Sequence, residues 1–353
     1  MARRYAADDL ERWTAGVLGD CGVPADDATL AASVLVRTEL RGWRTHGMTR
    51  IASYVERLRA GDFNPTPAMR HRELPGGVVL DADGAMGQVA GPRAVELGLR
   101  ALETSASVLV PIRECGHLGA LAIHALIAAE AGAFCVVGQR TPPLLAMPGF
   151  AGPAIGHNPI AFGCPIGAGD PLVFDIACSV AARGHILMAA REGRPIPAGW
   201  ALDEAGEPTT DATRALAGAL LPAGGHKGIG IAMMVECLAG ALAATAATLE
   251  AAGAAVPTAG AVGRQGGFLW LARPGAFVER ELFDAYMAHW TDRYLEAGAG
   301  RARLPGARAA EDERRGRRDG VALSDAIVAE LDALGRRGGR PLPAPIAGDA
   351  AGG

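Results

Sequence analysis

The chain has 353 residues, half of them apolar, and its 34 basic and 38 acidic side chains give a formal net charge of -4. This length predicts two domains, or one large α/β domain with an appendage, and the slightly acidic balance argues against a nucleic-acid-binding surface. The six cysteines are scattered without a CxxC pair, which favours a reduced, cytoplasmic protein. We see no signal peptide and no apolar run of about 18 residues, so we expect no membrane span.

The first part of the chain is predicted to be helical. Periodic apolar residues indicate a helix over 5–20, a second from Pro24 to about Arg41, and a third that begins at RTHGMTR (44–50) and ends near Gly61. The segment 64–69 is predicted to be a linker or the entry to a strand.

The middle of the chain alternates strands and helices. Strands are predicted at 78–84, 107–115, from Phe134, at 172–179 and at 267–275, and helices at 91–106, 119–132, after 180 and over 276–298. Residues 141–165 are rich in Gly and Pro and are predicted to be one long loop, a length that usually signals function. The end past about 338, rich in Pro, Gly and Ala, is predicted to be disordered.

His46 and Arg50 are the first candidate pair. They stand four residues apart in a predicted helix, so both side chains would leave the same face. Gly47 removes a side chain where a ligand would approach, and Thr45 can orient the ring by a hydrogen bond. The pattern fits an acid/base group beside a carboxylate clamp, and it also fits a surface pair without a function.

His117 lies in a predicted strand-to-helix turn between Gly116 and Gly119. Backbone N–H groups and the positive end of the helix make this turn a candidate phosphate or pyrophosphate site. The turn lacks the GxGxxG fingerprint, and an ordinary turn is an equal interpretation. His124 falls in an apolar stretch and is predicted to be a core histidine.

Two further polar positions occur in apolar surroundings. His157 lies in the predicted loop 141–165. Asp175 ends a predicted strand, where its carboxylate would accept from a ribose hydroxyl or cap the helix that follows. Arg183 and His185 come next, on that helix.

His226 and Lys227 are flanked by glycines and followed by an apolar helix. A lysine at such a helix start suits a phosphate contact, although the spacing is not that of a P-loop. The sequence has no HExxH motif and no histidines at zinc spacing. A metal-dependent lyase or hydrolase is therefore the weaker interpretation.

Taken in order, these segments resemble the malate/L-lactate dehydrogenase type 2 family of NAD(P)-dependent oxidoreductases, which includes ureidoglycolate dehydrogenase, sulfolactate dehydrogenase and Δ1-piperideine-2-carboxylate reductase. The resemblance rests on THGMTRIASYVERL, GHLGALAIHALIAAEAG, TPPLLAMPGFAGPAIGHNPIAF, DIACSVAARG, REGRPIPAGWALDEAGEPTTD and GALLPAGGHKGIGIAMMVECLAG. The most specific phrases are REGRPIPAGWALD and LPAGGHKG.

The resemblance implies a fold, a cofactor and a partner. It implies an α/β fold with a non-Rossmann dinucleotide-binding domain at 76–279, a helical substrate and dimerisation domain built from both chain ends (1–75 and 280–337), and a disordered tail at 338–353. It also implies NADH or NADPH as the cofactor, a small 2-oxo or 2-imino carboxylic acid as the substrate, a homodimer, and no metal, nucleic acid or membrane.

The resemblance also implies roles for individual residues. His46, supported by Thr45, would donate or relay a proton, His117 would accept a proton or contact the cofactor, and Arg50 would bind the substrate carboxylate. The further residues expected to contact substrate are Tyr54, His157, Arg183, Gly184 and His185. The residues expected to contact the cofactor are His117, Leu118, Gly119, Ala120, Leu121, Asp175, Ile176, Ala177, His226, Lys227, Arg303, Pro305 and Gly306.

The chain departs from the family pattern near the expected substrate. His157 stands where relatives have Thr, and His185 where they have Asp or Lys; Gly116, Leu118 and Cys178 are further departures. We expect the two histidines to reshape the pocket for an unusual substrate. The leading expectation is an NAD(P)H-dependent 2-oxo acid reductase. The alternatives are a cyclic ketimine reductase that makes a cyclic amino acid, and a catalytically inactive binding protein derived from the family.

Overall fold

The structure is a computed structural model that describes residues 3–167, 169–246 and 265–346. The helices are α1 Ala7–Gly19, α2 Ala25–Leu40, α3 Ile51–Ala60, α4 Gly87–Ala101, α5 Leu121–Glu130, α6 Arg183–Arg191, α7 Ala212–Ala217, α8 His226–Val235, α9 Arg280–Ala297, α10 Ala307–Asp319 and α11 Asp325–Arg337. The strands are β1 Arg3–Tyr5, β2 Arg70–Leu74, β3 Gly77–Asp81, β4 Ser107–Cys115, β5 Phe134–Gln139, β6 Pro143–Leu145, β7 Ile155–Gly156, β8 Ile160–Cys164, β9 Leu172–Ile176, β10 Ala201–Leu202, β11 Pro208–Thr209, β12 Ala219–Leu220, β13 Gln265–Ala272 and β14 Val321–Leu323.

The two ends of the chain share one hydrophobic core. Helices α1 to α3 pack with β14 and α11 around Leu10, Leu35, Ile51 and Leu331, and β1 pairs antiparallel with β14. The spacing of the apolar residues along α1 and α3 makes each helix amphipathic, so burial of one face drives this packing. Helix α9 does not contribute, since Thr291 is the one buried residue along it.

A seven-stranded sheet, in the order β2-β3-β4-β13-β5-β8-β9, forms the middle of the molecule. Strands β3 and β4 are parallel, and the other neighbours are antiparallel. A Rossmann sheet is mostly parallel, so this pattern agrees with the non-Rossmann expectation. Helices α4 and α5 cover the sheet with a core that includes Val95, Val110, Leu121 and Leu269.

A second sheet has five short strands in the order β11-β10-β12-β6-β7. Its strands pack with α6, α7 and α8 around Leu145, Ile186, Leu220 and Ala232. Strands β6, β7 and β8 all fall inside 141–165, so the prediction of one long loop there is wrong. The pairing partners of these strands are distant in sequence, for example Leu145 with Leu220, and local composition did not reveal them.

The described part of the C-terminal tail contacts the N-terminal core. Arg340 Nε donates to Asp20 at 3.0 Å, Trp13 donates to the Arg340 carbonyl, and the Ile346 N–H donates to the Arg4 carbonyl. The tail therefore packs on the N-terminal core as far as residue 346, and residues 347–353 lie outside the described part. Among the described helices, none is long and apolar enough to cross a bilayer.

Candidate active site

His46 and Arg50 lie on two separate 3-10 turns, at Arg44–His46 and Met48–Arg50. Gly47 between them has φ -94° and ψ -129°, outside the helical region. The expectation that one continuous helical turn presents both side chains is therefore wrong.

Hydrogen bonds across the turn bring the two side chains together instead. Arg50 Nε donates to the Thr45 carbonyl at 2.7 Å, and Thr45 Oγ1 lies 2.9 Å from His46 Nδ1. Thr45 thus contacts both residues, one through its backbone and the other through its hydroxyl.

His117 lies beside this turn, with its ring centroid 5.6 Å from that of His46. Its Nδ1 is 3.1 Å from the Tyr54 hydroxyl. Gln88 Nε2 is 3.3 Å from the His117 carbonyl, which only accepts, and 3.0 Å from the Tyr54 hydroxyl. Since the amide donates to the Tyr54 oxygen, the Tyr54 proton is available for His117 Nδ1. This arrangement favours the His117 tautomer with its ring proton on Nε2.

Gln139, the last residue of β5, holds the loop that carries His117. Its Oε1 accepts from the Leu118 N–H at 2.8 Å, and its Nε2 donates to the Gly116 carbonyl at 3.0 Å. Gly87 at the start of α4 lies so close to the His117 carbonyl that a Cβ there would overlap it. The loop is therefore clamped from the sheet and from a helix.

His157 is held from the same end of β5. Thr141 Oγ1 lies 3.0 Å from His157 Nδ1 and accepts from the Asn158 N–H at 3.3 Å. Asn158 is fully buried, and its Nδ2 donates to Glu236 at 2.9 Å. His157, where the chain departs from the family pattern, is therefore held in place by hydrogen-bonded neighbours.

Burial and mutual charge keep the three histidines neutral. Burial, followed by the charges of Arg50 and His157, lowers the pKa of His46 to about 4. Burial, followed by the charges of His46, Arg50, Arg57 and His157, lowers the pKa of His117. Burial lowers the pKa of His157 to about 4. The three neighbouring imidazoles are therefore expected to be uncharged at pH 7.

Arg50 is the cation of this environment. Within the described residues, its one recorded partner is the Thr45 carbonyl, and no carboxylate pairs with it. The bond uses Nε, so the two terminal amino groups are available for a bidentate contact with a carboxylate.

Three of the predicted segments meet through their backbones. The Cys178 N–H donates to the His157 carbonyl at 2.9 Å, and the Ala223 N–H donates to the Cys178 carbonyl at 2.8 Å. Helix α8 begins three residues after Ala223, with His226 and Lys227 exposed in its first turn. The expected cofactor residues Ile176, Ala177, His226 and Lys227 therefore lie around one backbone junction beside His157.

Asp175 makes a contact that neither expectation included. Its Oδ2 accepts from the Ala122 N–H at 3.0 Å, and the Leu121 N–H also bonds to it. Asp175 thus caps α5, not the following helix, and the protein's own carboxylate occupies the helix end where we predicted a phosphate. Burial raises the pKa of Asp175 to about 6, against the lowering effect of these two bonds.

A cavity of about 720 Å³ lies next to Asp175, between the end of α2, β9 and the start of α10. The predicted cofactor residues Asp175, Arg303, Pro305 and Gly306 all line it. Its cationic residues are Arg41, Arg44, Arg303 and Arg308, and its carboxylates are Asp175 and Asp312.

Two features of this cavity suit an anionic group. Arg41 is 4% exposed and its Nη1 pairs with Glu313 at 2.7 Å, while its buried Nε has no hydrogen-bond partner. Gly306, with φ +90°, starts α10 without a side-chain cap, and its Cα approaches the backbone of Val173 so closely that a Cβ would be crowded. A phosphate-bearing dinucleotide matches the excess of arginine and the uncapped helix end.

The predicted substrate residues on α6 are not brought to the histidines. Arg183, Gly184 and His185 are exposed in the first turn of α6. The His185 ring lies 6.3 Å from that of Trp200, and its role as a replacement for the relay carboxylate of relatives stays a prediction.

Sequence reasoning missed four residues that hold the site, namely Glu39, Gln88, Gln139 and Thr141. Each is buried and each bonds to a loop that carries a predicted residue. Glu39 alone left a signal, because an acidic residue at the C-terminal end of a helix opposes the helix dipole. No group of histidine, cysteine and carboxylate side chains suited to a metal occurs within the described part of the chain.

The sequence matches the malate/L-lactate dehydrogenase family over residues 5–332. It is 37% identical over 327 residues to the Delta(1)-pyrroline-2-carboxylate reductase of Ancylobacter novellus, covering 90% of this chain and 93% of that protein. It is 36% identical over 337 residues to the Delta(1)-pyrroline-2-carboxylate/Delta(1)-piperideine-2-carboxylate reductase of Pseudomonas aeruginosa, covering 94% and 99%.

The fold is also similar to that of a solved structure, the delta1-piperideine-2-carboxylate reductase from Pseudomonas syringae pvar. tomato. The TM-score is 0.83 at 28% sequence identity, over 94% of this chain and 99% of that chain. The resemblance drawn from the sequence motifs is confirmed. The chain belongs to the malate/L-lactate dehydrogenase family and is an oxidoreductase that uses NADH or NADPH.

Proposed function

We propose that this enzyme reduces C2 of a small 2-imino or 2-oxo carboxylic acid. The observation that carries the proposal is the grouping of His46, His117 and His157 around an arginine, Arg50, for which the described chain supplies no carboxylate. A carboxylate substrate supplies that missing partner.

Each residue has a physical role in this proposal. Arg50 holds the substrate carboxylate in a bidentate contact, which places C2 next to the imidazoles. His117 presents its Nε2–H as a fixed donor, because Tyr54 occupies its Nδ1. The reduced nicotinamide, when bound, supplies the hydride.

The arginine-lined cavity is the proposed location of the cofactor phosphates. Four arginines and two carboxylates line it. Arg41 and Arg303 also pair with Glu313 and Glu311, and Asp175 is engaged by the N–H groups of Leu121 and Ala122. We propose that His117 to Leu121 and His226 to Lys227 contact the nicotinamide half.

The neutral histidines favour a 2-imino acid, such as a cyclic ketimine. A histidine with a pKa of about 4 is protonated in roughly one molecule in a thousand at pH 7. A protonated imine carries its own proton, so hydride addition to C2 gives the amine without a proton from the protein. The two curated relatives described above are also cyclic-imine reductases.

A 2-oxo acid is the second candidate, because the same arginine and histidines serve it. Hydride addition to a ketone makes an alkoxide, which must take a proton from an imidazolium. The substrate carboxylate would raise the pKa of His46 on binding by adding a negative charge next to it. A 2-oxo acid therefore requires a histidine of the pocket to become protonated, whereas a 2-imino acid does not.

We also propose a homodimer in which the second copy covers α6 and α8. These helices carry the exposed predicted residues Arg183, His185, His226 and Lys227. Beside them lie Leu187, Met188, Met233 and Met234, which are 38%, 54%, 55% and 44% exposed; we call these four residues the methionine face. An apolar surface next to functional residues is typical of an interface, and a second copy would close a site that is open in one chain.

The experiment that tests the proposal is a substrate panel. Cyclic imines, open-chain 2-oxo acids and their carboxamides are each supplied with NADH and with NADPH, and loss of reduced nicotinamide is followed. Turnover of imine carboxylates above 2-oxo acids, and no turnover of the carboxamides, is expected. Equal turnover of acids and carboxamides would show that Arg50 does not bind the substrate carboxylate. No turnover of any acid would contradict the proposal.

A further inference from the structure

Glu39 is a buried carboxylate directly beneath the turn that carries His46 and Arg50. Its side chain is 1% exposed. It lies in the last turn of α2, and its Oε2 accepts from the Met48 N–H at 3.0 Å. Met48 is in the middle of the segment between the two predicted functional residues.

The contact with Glu39 also explains why Gly47 is a glycine. A Cβ at Gly47 would lie 2.5 Å from Glu39 Oε2 and 3.0 Å from Glu39 Cα. The close approach of Glu39 therefore leaves no room for a side chain at this position.

The position of Glu39 is unfavourable for stability alone. Its Oε1 is buried without a hydrogen-bond partner, and Arg44 Nε is 3.9 Å from it, in a side chain that is 66% exposed. Burial raises the pKa of Glu39 to about 7, against the lowering effect of the Met48 bond and Arg44. A buried carboxylate with an unpaired oxygen at the negative end of a helix lowers the stability of the folded protein. A contribution to stability therefore does not explain why a glutamate occupies this position.

We infer that Glu39 is a positioning residue that fixes the Gly47–Met48 peptide so that His46 and Arg50 project into the same pocket. The inference rests on the proposed function, which says that this pocket binds the substrate. The geometry of the turn itself is independent of the substrate. Without the carboxylate, the Met48 N–H loses its acceptor, and the Gly47–Met48 peptide loses the bond that ties it to the end of α2.

The test compares Glu39→Ala, which removes the acceptor, with Glu39→Gln, which keeps an acceptor oxygen of the same reach and removes the charge. Glu11→Ala is the control, since Glu11 is a partly buried glutamate of the same core with a raised pKa and no contact with the turn. We expect Glu39→Ala to raise KM for the substrate carboxylate about 10- to 100-fold, and Glu39→Gln to restore it to within about threefold of wild type.

Hydrogen exchange of the Met48 amide gives a readout that does not need a substrate. We expect exchange to accelerate at least about tenfold in Glu39→Ala and to stay close to wild type in Glu39→Gln and Glu11→Ala.

Unchanged exchange and unchanged KM in Glu39→Ala would overturn the inference, as would a KM in Glu39→Gln as high as in Glu39→Ala. If wild type turns over none of the acids, the proposed function fails, while amide exchange still decides the role of Glu39. If Glu39→Ala does not fold, Glu39→Leu and Glu39→Gln are compared by the same exchange measurement.

Discussion

The Tyr54 hydroxyl lies 3.1 Å from His117 Nδ1 and accepts from Gln88 Nε2 at 3.0 Å. This chain of two hydrogen bonds favours the tautomer of His117 that carries its ring proton on Nε2. Tyr54 is 2% exposed and Gln88 is 1% exposed, so water does not substitute for either partner.

Without the Tyr54 hydroxyl, His117 should be able to carry its ring proton on either nitrogen. We expect Tyr54→Phe to lower kcat about 10- to 100-fold, with a loss of about 1 kcal/mol in unfolding free energy from the lost hydrogen bonds. Steady-state kinetics and NMR of the ring nitrogens of His117 measure the two effects. The matched control is Phe63→Leu, a change to the ring that packs against Tyr54 at 6.0 Å; a kcat in Tyr54→Phe no lower than in this control would contradict the assignment.

Arg50 should be needed for the carboxylate more than for the fold. We expect Arg50→Lys to raise KM for the acid at least about tenfold, because lysine cannot make the bidentate contact, and Arg50→Gln to raise it about 100-fold or more. Arg59→Lys, one exposed arginine on the next turns of α3, is the control. Identical KM values for Arg50→Lys and wild type would show that the carboxylate binds elsewhere.

His157 should influence which substrate is reduced. We expect His157→Thr to change the ratio of kcat/KM between imine and 2-oxo acid substrates about tenfold or more, because the Thr141 contact holds this ring next to His46 and His117. The measurement is the substrate panel repeated on the variant. A variant with an unchanged profile, whatever its absolute rate, argues against a role of His157 in specificity.

The methionine face should control assembly. We expect Met233→Glu to shift the protein from dimer to monomer in light scattering and to reduce activity in parallel, since a buried charge would be introduced at the interface. Leu74→Glu, an exposed apolar residue on β2 at 42% exposure, is the control and should stay dimeric. A wild-type protein that is monomeric at working concentration would refute the dimer.

His124 allows a prediction about acid stability. It is fully buried, its Nε2 bonds to the Leu118 carbonyl at 2.9 Å, and burial lowers its pKa to about 4. The unfolded chain takes up this proton below about pH 6.5 while the folded chain does not, so stability falls as the pH falls from about 6.5 towards 4. We expect wild type to lose about 2 kcal/mol more unfolding free energy than His124→Gln between about pH 7 and about pH 5, measured by urea unfolding. An equal loss in both proteins would show that His124 titrates normally.

Local sequence determined much of the framework. Period-two and helical patterns placed β4, α5 and β5 within a few residues, because burial of one face depends on residues close in the chain. His124 was predicted as a core residue from its apolar surroundings, and it is buried. The family was found in contiguous phrases such as LPAGGHKG, which need no structure to recognise.

Tertiary structure alone decided how the site is held. Gln88 reaches Tyr54 across 34 residues, Asp175 caps α5 across 53, and Glu39 holds the turn at Met48 through a bond that no helical periodicity predicts. A hydrogen bond between distant residues depends on where the fold brings two atoms, and nothing in the flanking residues of either one specifies its partner. For the same reason the strands inside 141–165 were missed, because a strand without its neighbour has the composition of a loop.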